Sequence, residues 1–450
     1  MAEQDRHDGL HARGLALRPS FGSALLRSAW PLLACIAFAV LLQLGIRPYL
    51  EVFHAKMLLD IGTSIILAVS LTMVNGFTGQ FSIGHAAFMA VGAYVSAAIV
   101  YYGSFRLFGN ADLHGGLLSG MIDHAEGTPI LRWADLLFVA SLLTGGILAA
   151  ACGYVVGLPS LRLRGDYLAI VTLGFGEIVR VLIQSQTEEV LWDPEKIAAT
   201  PMYLWPKYTG GALGFSGLPF YSSLFWAALF AALTMLVAIR LKYSSTGRAF
   251  LAIREDEIAA EAMGVPTTKY KVRAFVIAAF FAGIAGGIFA HTTGVQLNPG
   301  ELGFMKSFDI LIMVVLGGLG SISGAALAAA ILTILPEMLR TPHTVWPWGL
   351  VAGAVLAIAL APFAQKRWKP ALTIALVLGG WELMRWFAGA TVVNLGVVRF
   401  EKAVIDLSSY RMVIYALALI LIMIVRPEGL LGVREIWELR PVRSRKAARR

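Results

Sequence analysis

Charged residues are scarce in this chain. Asp, Glu, Lys and Arg make up 14% of its 450 residues, against about 25% in soluble domains. The deficit excludes an ordinary soluble globular fold. Cysteine is scarcer still: Cys35 and Cys152 are the only two, and both lie in apolar segments. That argues against a structural disulfide and against a thiolate metal site. No G-x-x-x-x-G-K-[ST] occurs, so the chain has no P-loop with which to hydrolyse ATP. Gly318-Leu319-Gly320-Ser321-Ile322-Ser323-Gly324 imitates a nucleotide loop, but it lies in an apolar helical region with no strand before it. There is no clustered His, Cys and carboxylate set for a metal, and no triad, so the sequence offers no catalytic residue.

What is present is apolar. The chain is 58% hydrophobic, with a mean hydropathy of +0.72. Apolar runs near the length of a bilayer-spanning helix recur along it. They predict helices at 29–46, 57–75, 81–103, 136–158, 167–184, 221–240 and 274–292, a long region at 308–336, and further helices at 347–364, 370–388 and 409–425. Only helices satisfy their own backbone in lipid short of a closed barrel. The expected fold class is therefore an all-α polytopic membrane protein. The polar first 28 residues, with Arg6, Arg13, Arg18 and Arg27, precede an apolar segment that reads as a retained first helix, not a removed signal peptide.

The net charge of +9 does not indicate nucleic acid, because the basic residues sit in loops and tails, where they set topology. The loop 240–273 carries seven: Arg240, Lys242, Arg248, Arg254, Lys269, Lys271 and Arg273. The tail from Arg426 carries eight, whereas the loops 104–135 and 185–219 each carry two against four acids. Both termini and the 240–273 loop are accordingly expected in the cytoplasm. A single crossing by 308–336 would put the C-terminal tail, Lys366, Arg367 and Lys369 outside. At about 1.5 Å per residue the region is longer than one hydrocarbon core, and Gly317-Gly318-Leu319-Gly320 offers a break. About ten crossings plus a broken or re-entrant pair are expected; the rival is a surface helix at 370–388, with Glu382 and Arg385. The organisation is then a tail (1–28), a core (29–340) with a loop at 241–273, an inserted helical pair (341–408), a last helix (409–425) and a basic tail (426–450).

A weak internal repeat relates Val74–Gly84 to Leu316–Gly324: both follow an apolar run and precede an Ala-rich one. Inverted repeats with interrupted helices meeting near the midplane are common in transporters. Breaks at Gly76, Gly79, Gly84, Gly317, Gly318, Gly320 and Gly324 would free backbone groups in mid-membrane, tolerated only where protein buries them or water reaches them. Asn75, Thr78, Gln80, Ser82, Ser321 and Ser323 could satisfy those groups or line a polar translocation path; the glycines could equally serve close helix packing. His85 is either a hydrogen-bonded structural residue or a proton carrier on that path. Glu177 and Arg180, three residues apart, can pair on one helix face, for structure or for contact with a partner. Asp60 and Asp309 near helix starts suit the helix dipole. Arg162, Arg164 and Asp166 make a short polar turn.

The stretch Ser244–Tyr270 is the longest strongly charged interruption. Its good helix formers, followed by Gly264 and Pro266, predict one short helix from Ile253 to Met263. By composition alone it is as readily a solvated loop. EIAAEAMGV, however, resembles the "EAA" loop of ABC-importer permeases, the cytoplasmic helix that docks on an ATPase subunit. NGFTGQFSIGHAAFMAVGAY at 75–94, LPSLRLRGDYLAIVTLGFGEIVR at 158–180, STGRAFLAIREDEIAAEAMG at 245–264, VLGGLGSISGA at 315–325 and RPEGLLG at 426–432 are together similar to the branched-chain amino-acid permease family, in its longer, LivM-type subunit. The resemblance covers residues 57–340 and 408–432, and 341–408 match it poorly.

The resemblance implies an ABC-importer permease fold in the bacterial inner membrane. It implies a heterodimer with a second homologous permease, two ATPase subunits that hold the ATP, and an extracytoplasmic solute-binding protein. No cofactor is implied for this chain itself. ATPase coupling would fall on Arg248, Arg254, Glu255, Asp256, Ala260, Glu261 and Gly264. The implied solutes are leucine, isoleucine and valine, or urea and short amides, which related importers carry. The alternative class is an ion-coupled secondary transporter. That would need a titrating intramembrane carboxylate, and Glu177 beside Arg180 is a poor one.

Overall fold

The structure, a computed structural model, describes residues 21–120, 129–161, 167–292, 296–340, 420 and 429–438. Among them the secondary structure is helical, apart from one antiparallel bridge between Phe215 and Leu297. Two compact units emerge, Met1–Leu311 and Ile312–Arg450.

In the first unit, α1 (Phe21–Val40) widens into a π-helical turn and ends in a 3-10 turn at Tyr49. It is followed by α2 (Val52–Asn75), α3 (His85–Phe108), α4 (Trp133–Ser160), α5 (Tyr167–Gln184), the short α6 (Pro194–Ala199), α7 (Leu224–Lys242), α8 (Ser245–Glu255), α9 (Glu257–Ala262) and α10 (Thr267–Ala290). Seven helical spans among the described residues are long and apolar enough to cross a membrane: 30–49, α2, α3, α4, α5, α7 and α10. These match the first seven expected spans to within a few residues at most ends. The largest difference is α10, which begins at Thr267, seven residues ahead of expectation. Its first turns accommodate Lys271, ion-paired with Glu257 at 2.6 Å, and Arg273, stacked over the Tyr270 ring.

Burial separates the spans into two kinds. The windows of α2, α3 and α10 are mostly buried, whereas α1, α4, α5 and α7 keep outward apolar faces. An all-round apolar helix has to be covered by protein or by lipid; this chain itself covers the first three and leaves the outer faces of the others uncovered. The buried helices approach closely at small residues. A methyl group on Gly92 would stand 2.1 Å from the Gly283 carbonyl oxygen, and one on Gly286 1.9 Å from that of Met89. No side chain fits at either place, which is the packing logic of helices in lipid, where backbone proximity replaces the hydrophobic drive. Ser96 and Ser141 add a 2.8 Å hydroxyl pair between α3 and α4.

The polar segment 185–222 folds over the far end of α3. The Tyr101 hydroxyl donates to the Leu191 carbonyl, and Arg106 donates to the Thr200 carbonyl beneath the Trp205 ring. At about 1.5 Å per residue, the 24 residues of α3 put this cap about 36 Å from the start of the helix.

α11 (Phe304–Gly317) leads across the division into the second unit, where α12 (Ile322–Arg340) follows. The expected break in 308–336 is therefore present, at 318–321. The 14 residues of α11 reach only about 21 Å, less than a hydrocarbon core of about 30 Å. The expected spans 347–364, 370–388 and 409–425, the 341–408 insert and the turn Arg162, Arg164 and Asp166 lie outside the described residues, apart from Ile420.

Candidate functional site

Two corners, one in each unit, gather most of the residues singled out by the sequence. The first joins α2 to α3. Asn75, at the last position of α2, brackets it: its Oδ1 accepts from the Ser82 amide at 3.3 Å, and its Nδ2 donates to the Ser82 carbonyl at 3.4 Å. Inside the bracket Thr78 Oγ1 donates to the Val74 carbonyl, and Gly79 takes a left-handed φ of +69°, which a side chain rarely adopts. The exit is tied to neighbouring helices. The Ile83 amide donates to Thr172 Oγ1 of α5 at 3.1 Å, and the Ala86 amide to Ser307 Oγ of α11 at 3.1 Å. Gly84 permits the first approach, since a methyl group there would lie 2.3 Å from the Thr172 carbonyl oxygen.

This corner does not interrupt a span half-way, as the sequence led us to expect. α2 and α3 have 24 residues each, about 36 Å and long enough to cross separately. Their junction lies at the end of both, beside Lys242, whose ammonium sits over the Phe77 ring, and beside Arg254, whose Nη1 donates to the Gly76 carbonyl at 3.0 Å. The polar group left over is Gln80. Its Oε1 is buried without a hydrogen-bond partner among the described residues. His85 is fully enclosed, 2.8 Å from Ser70 Oγ of α2 and edge-on to Phe88. It cross-ties α2 and α3, so the structure favours the structural alternative for this residue.

The segment after α7 packs against the same end of the bundle. The single helix expected over 253–263 is two, α8 and α9, divided at Asp256. Asp256 is extended (φ −156°, ψ 110°), and its carboxylate accepts from the amides of Ile258 and Ala259. A carboxylate at this position satisfies donors that a continuous helix would have used internally, and it complements the new helix dipole. Ser244 caps α8 in the same way through the Gly247 amide. Ala260, taken as a coupling residue, faces inward and is buried. Arg254 also turns inward, toward Gly76. Glu255 and Glu261 are exposed, as are Ile258 at 68% and Met263 at 84%. Ile258 and Met263 were missed by the sequence reading. The available signal was a large apolar residue on a short helix whose buried face was already supplied by Ala260. Gly264, with φ +84°, ends this segment. Glu261 also borders an open groove of about 600 Å³ between α4 and α10, with Tyr154, Lys269 and Arg273 on its walls.

Glu177 and Arg180 do pair, Oε2 to Nε at 2.7 Å. Glu177 also accepts from the Phe304 amide at the start of α11, at 3.2 Å, and Arg180 donates to Gln184. Within this chain Glu177 thus caps α11, and Arg180 holds Glu177 and Gln184 on one helix face.

In the second unit the corner between α11 and α12 is built from two distant motifs. Gly318 and Gly320 have φ of +107° and +97°. The carbonyls of Leu316 and Gly317, left over at the end of α11, accept from the amides of Leu430 and Leu431 at 2.7 and 3.3 Å. At the start of α12 the fully buried carboxylate of Glu435 accepts from the amides of Ile322 and Ser323, both at 3.0 Å, and from Ser323 Oγ at 2.6 Å. Ser321 Oγ donates to the Arg434 carbonyl at 2.9 Å. Ser321 and Ser323, expected on a path, thus have hydroxyls engaged with the Arg434–Glu435 stretch. Gly324 lies against Gly317. Glu435 carried no motif signal.

The first corner, the segment after α7 and the Glu177–Arg180 pair all lie within the part of the chain that matches a known family; the 429–438 stretch lies beyond it. Residues 54–360 match the family model described as the branched-chain amino acid transport system permease component. The chain is 36% identical over 297 residues to the high-affinity branched-chain amino acid transport system permease protein LivM of Salmonella typhimurium, covering 61% of each chain. It is equally similar to LivM of Escherichia coli. To the permease protein LivH of Salmonella typhimurium it is 27% identical over 274 residues, 60% of this chain and 80% of LivH. The chain spans about three-fifths of the length of these LivM relatives. No solved structure matches it. Because the family model covers more than half of the residues, the chain belongs to the branched-chain amino acid transport permease family.

Proposed function

We propose that this chain is a membrane-spanning subunit of an ATP-binding-cassette importer in a bacterial inner membrane. It moves branched-chain amino acids, or a related small solute such as urea or a short amide, into the cytoplasm. It pairs with a second, homologous permease. ATP is bound and hydrolysed on two separate ATPase subunits, and a solute-binding protein delivers the solute from outside. The N-terminus, the C-terminus and the α8–α9 lever face the cytoplasm. The similarity to branched-chain amino acid transport permeases of both the LivM and the LivH kind supports the solute class and the pairing.

One observation carries the reading: α9 is a short helix whose large apolar residue, with the one that follows at its end, points away from its own protein. Ile258 and Met263 are exposed, while the base of the helix is fixed by the Glu257–Lys271 ion pair and the Asp256 cap. A fixed helix with an uncovered apolar tip is shaped to enter a groove on another protein. In this scheme Glu255 and Glu261 set its register, Gly264 ends it, and Arg248 of α8 flanks it. The Asn75–Ser82 corner, at the same end, forms an inner gate, in which Gln80 offers an uncommitted carbonyl to the passing solute.

Co-purification with the ATPase tests the docking. Ile258→Asp and Glu261→Lys each weaken ATPase retention by about 10- to 100-fold, the equivalent of about 1.5–3 kcal/mol of lost contact. Wild-type retention in both would remove α9 as the docking element. Reconstituted uptake separates the alternative class: leucine uptake that follows an ion gradient without the ATPase would replace the importer reading with a secondary transporter.

A further inference from the structure

The lever and the α2–α3 corner are joined by one side chain. Arg254 sits in the last turn of α8, and two residues later Asp256 both ends α8, donating its amide to the Ala252 carbonyl, and caps α9. A displacement of α9 therefore acts almost directly on residue 254. From there the guanidinium donates to the carbonyl of Gly76 at 3.0 Å, across 178 residues of sequence. Gly76 ends α2, where leftover carbonyls and the negative end of the helix dipole favour a cation. The contact extends to the backbone. A methyl group on Gly79 would lie 3.2 Å from Arg254 Cγ and 3.4 Å from its Cα, so the end of α8 rests on the corner without slack. The other partner of Arg254, Glu255, is 4.0 Å away and largely exposed, a pairing that water and salt weaken.

We propose that Arg254 is a positioning residue that delivers movement of the docking helix to the gate corner 76–82. This rests on the importer reading above, and adds to it which residue carries the motion and where it arrives. Arg254 is thereby separated from the docking face. Losing it leaves the ATPase attached but uncouples attachment from transport.

The test uses the whole assembly: this chain with its partner permease and ATPases, reconstituted with the binding protein. Arg254→Met keeps the stem that packs on Gly79 and removes the donor, whereas Arg254→Lys restores a cationic donor. The Met variant is expected to retain the ATPase at wild-type yield while leucine taken up per ATP hydrolysed falls by at least about tenfold, within the usual range of coupling energies, with partial recovery in Lys. A reporter cysteine at Phe81, which is exposed at the corner, is placed in a background with Cys35 and Cys152 changed to Ala. Its maleimide-labelling rate should change on ATP addition, and that change should vanish with Arg254→Met. Unchanged uptake per ATP in the Met variant, or a preserved labelling change, overturns the proposal. Should the Met variant fail to accumulate, the reporter in the otherwise unmodified assembly decides: no ATP-dependent change at residue 81 overturns it. Failure of the wild-type chain to retain the ATPase would overturn the importer reading itself, a result distinct from any of these.

Discussion

Glu435 makes the sharpest stability prediction. Its carboxylate is fully buried and accepts from the two amides that open α12 and from Ser323 Oγ. Glu435→Ala strands those amides. Hydrogen bonds to a charged group contribute about 1.5–3 kcal/mol each, so two amount to a gross loss of about 3–6 kcal/mol. Part is offset because the variant no longer buries an anion, which costs several kcal/mol in its own right. The hydroxyls lose less, since Ser321 Oγ keeps the Arg434 carbonyl and Ser323 Oγ keeps the Ile436 amide. A net loss of about 2–3 kcal/mol, felt as local opening of 429–438, is the expected outcome. Arg434 is exposed beside it, so trypsin reports the opening directly. Cleavage after Arg434, followed by mass spectrometry in detergent, should accelerate by about 30- to 150-fold in the regime where cleavage tracks the open population. Glu435→Gln keeps one acceptor and should fall between wild type and Ala. Wild-type cleavage in Glu435→Ala, or faster cleavage in Gln than in Ala, would refute the cap.

Two further perturbations probe the first unit. Gly84→Ala places a methyl group 2.3 Å from a backbone oxygen of α5; the helices must part, and an apparent stability loss of at least about 1–3 kcal/mol is expected by thermal unfolding in detergent. Equal melting of variant and wild type would show that the α3–α5 approach is not rigid. Lys271→Met removes a buried cation from a half-exposed Glu257 and should cost about 1–3 kcal/mol. It should also loosen α9, read as faster amide exchange at Ile258 and Ala259, and unchanged exchange there would dissociate the ion pair from the lever.

Much of the fold was legible because its determinants are local. α5 was expected at 167–184 and is found at Tyr167–Gln184, since an apolar run of spanning length bounded by polar residues admits little else. The corner at 318–321 was marked by Gly318 and Gly320, whose left-handed backbone needs a residue without a side chain. Asn75 was singled out, yet its use as a bracket on Ser82 was not, nor was the position of that corner at the end of two complete spans. The single helix expected over 253–263 failed at Asp256, because propensity favours continuation and the side-chain cap that ends it is a competing local bond.

The sequence by itself determined the solvent this protein is built for, the placement of most of its spans, the glycine corners and the charged segment between α7 and α10. Periodicity, composition and chain-breaking residues act over a few turns, and they carry that information. Only the tertiary structure decided what the polar groups are for. Arg254 reaches Gly76 across 178 residues, Glu435 reaches Ile322 across 113, and Ala260 turns in while Ile258 turns out. In a bilayer each freed backbone group must find a partner wherever the chain can bring one, and nothing local to Gly76 or Ile322 names that partner.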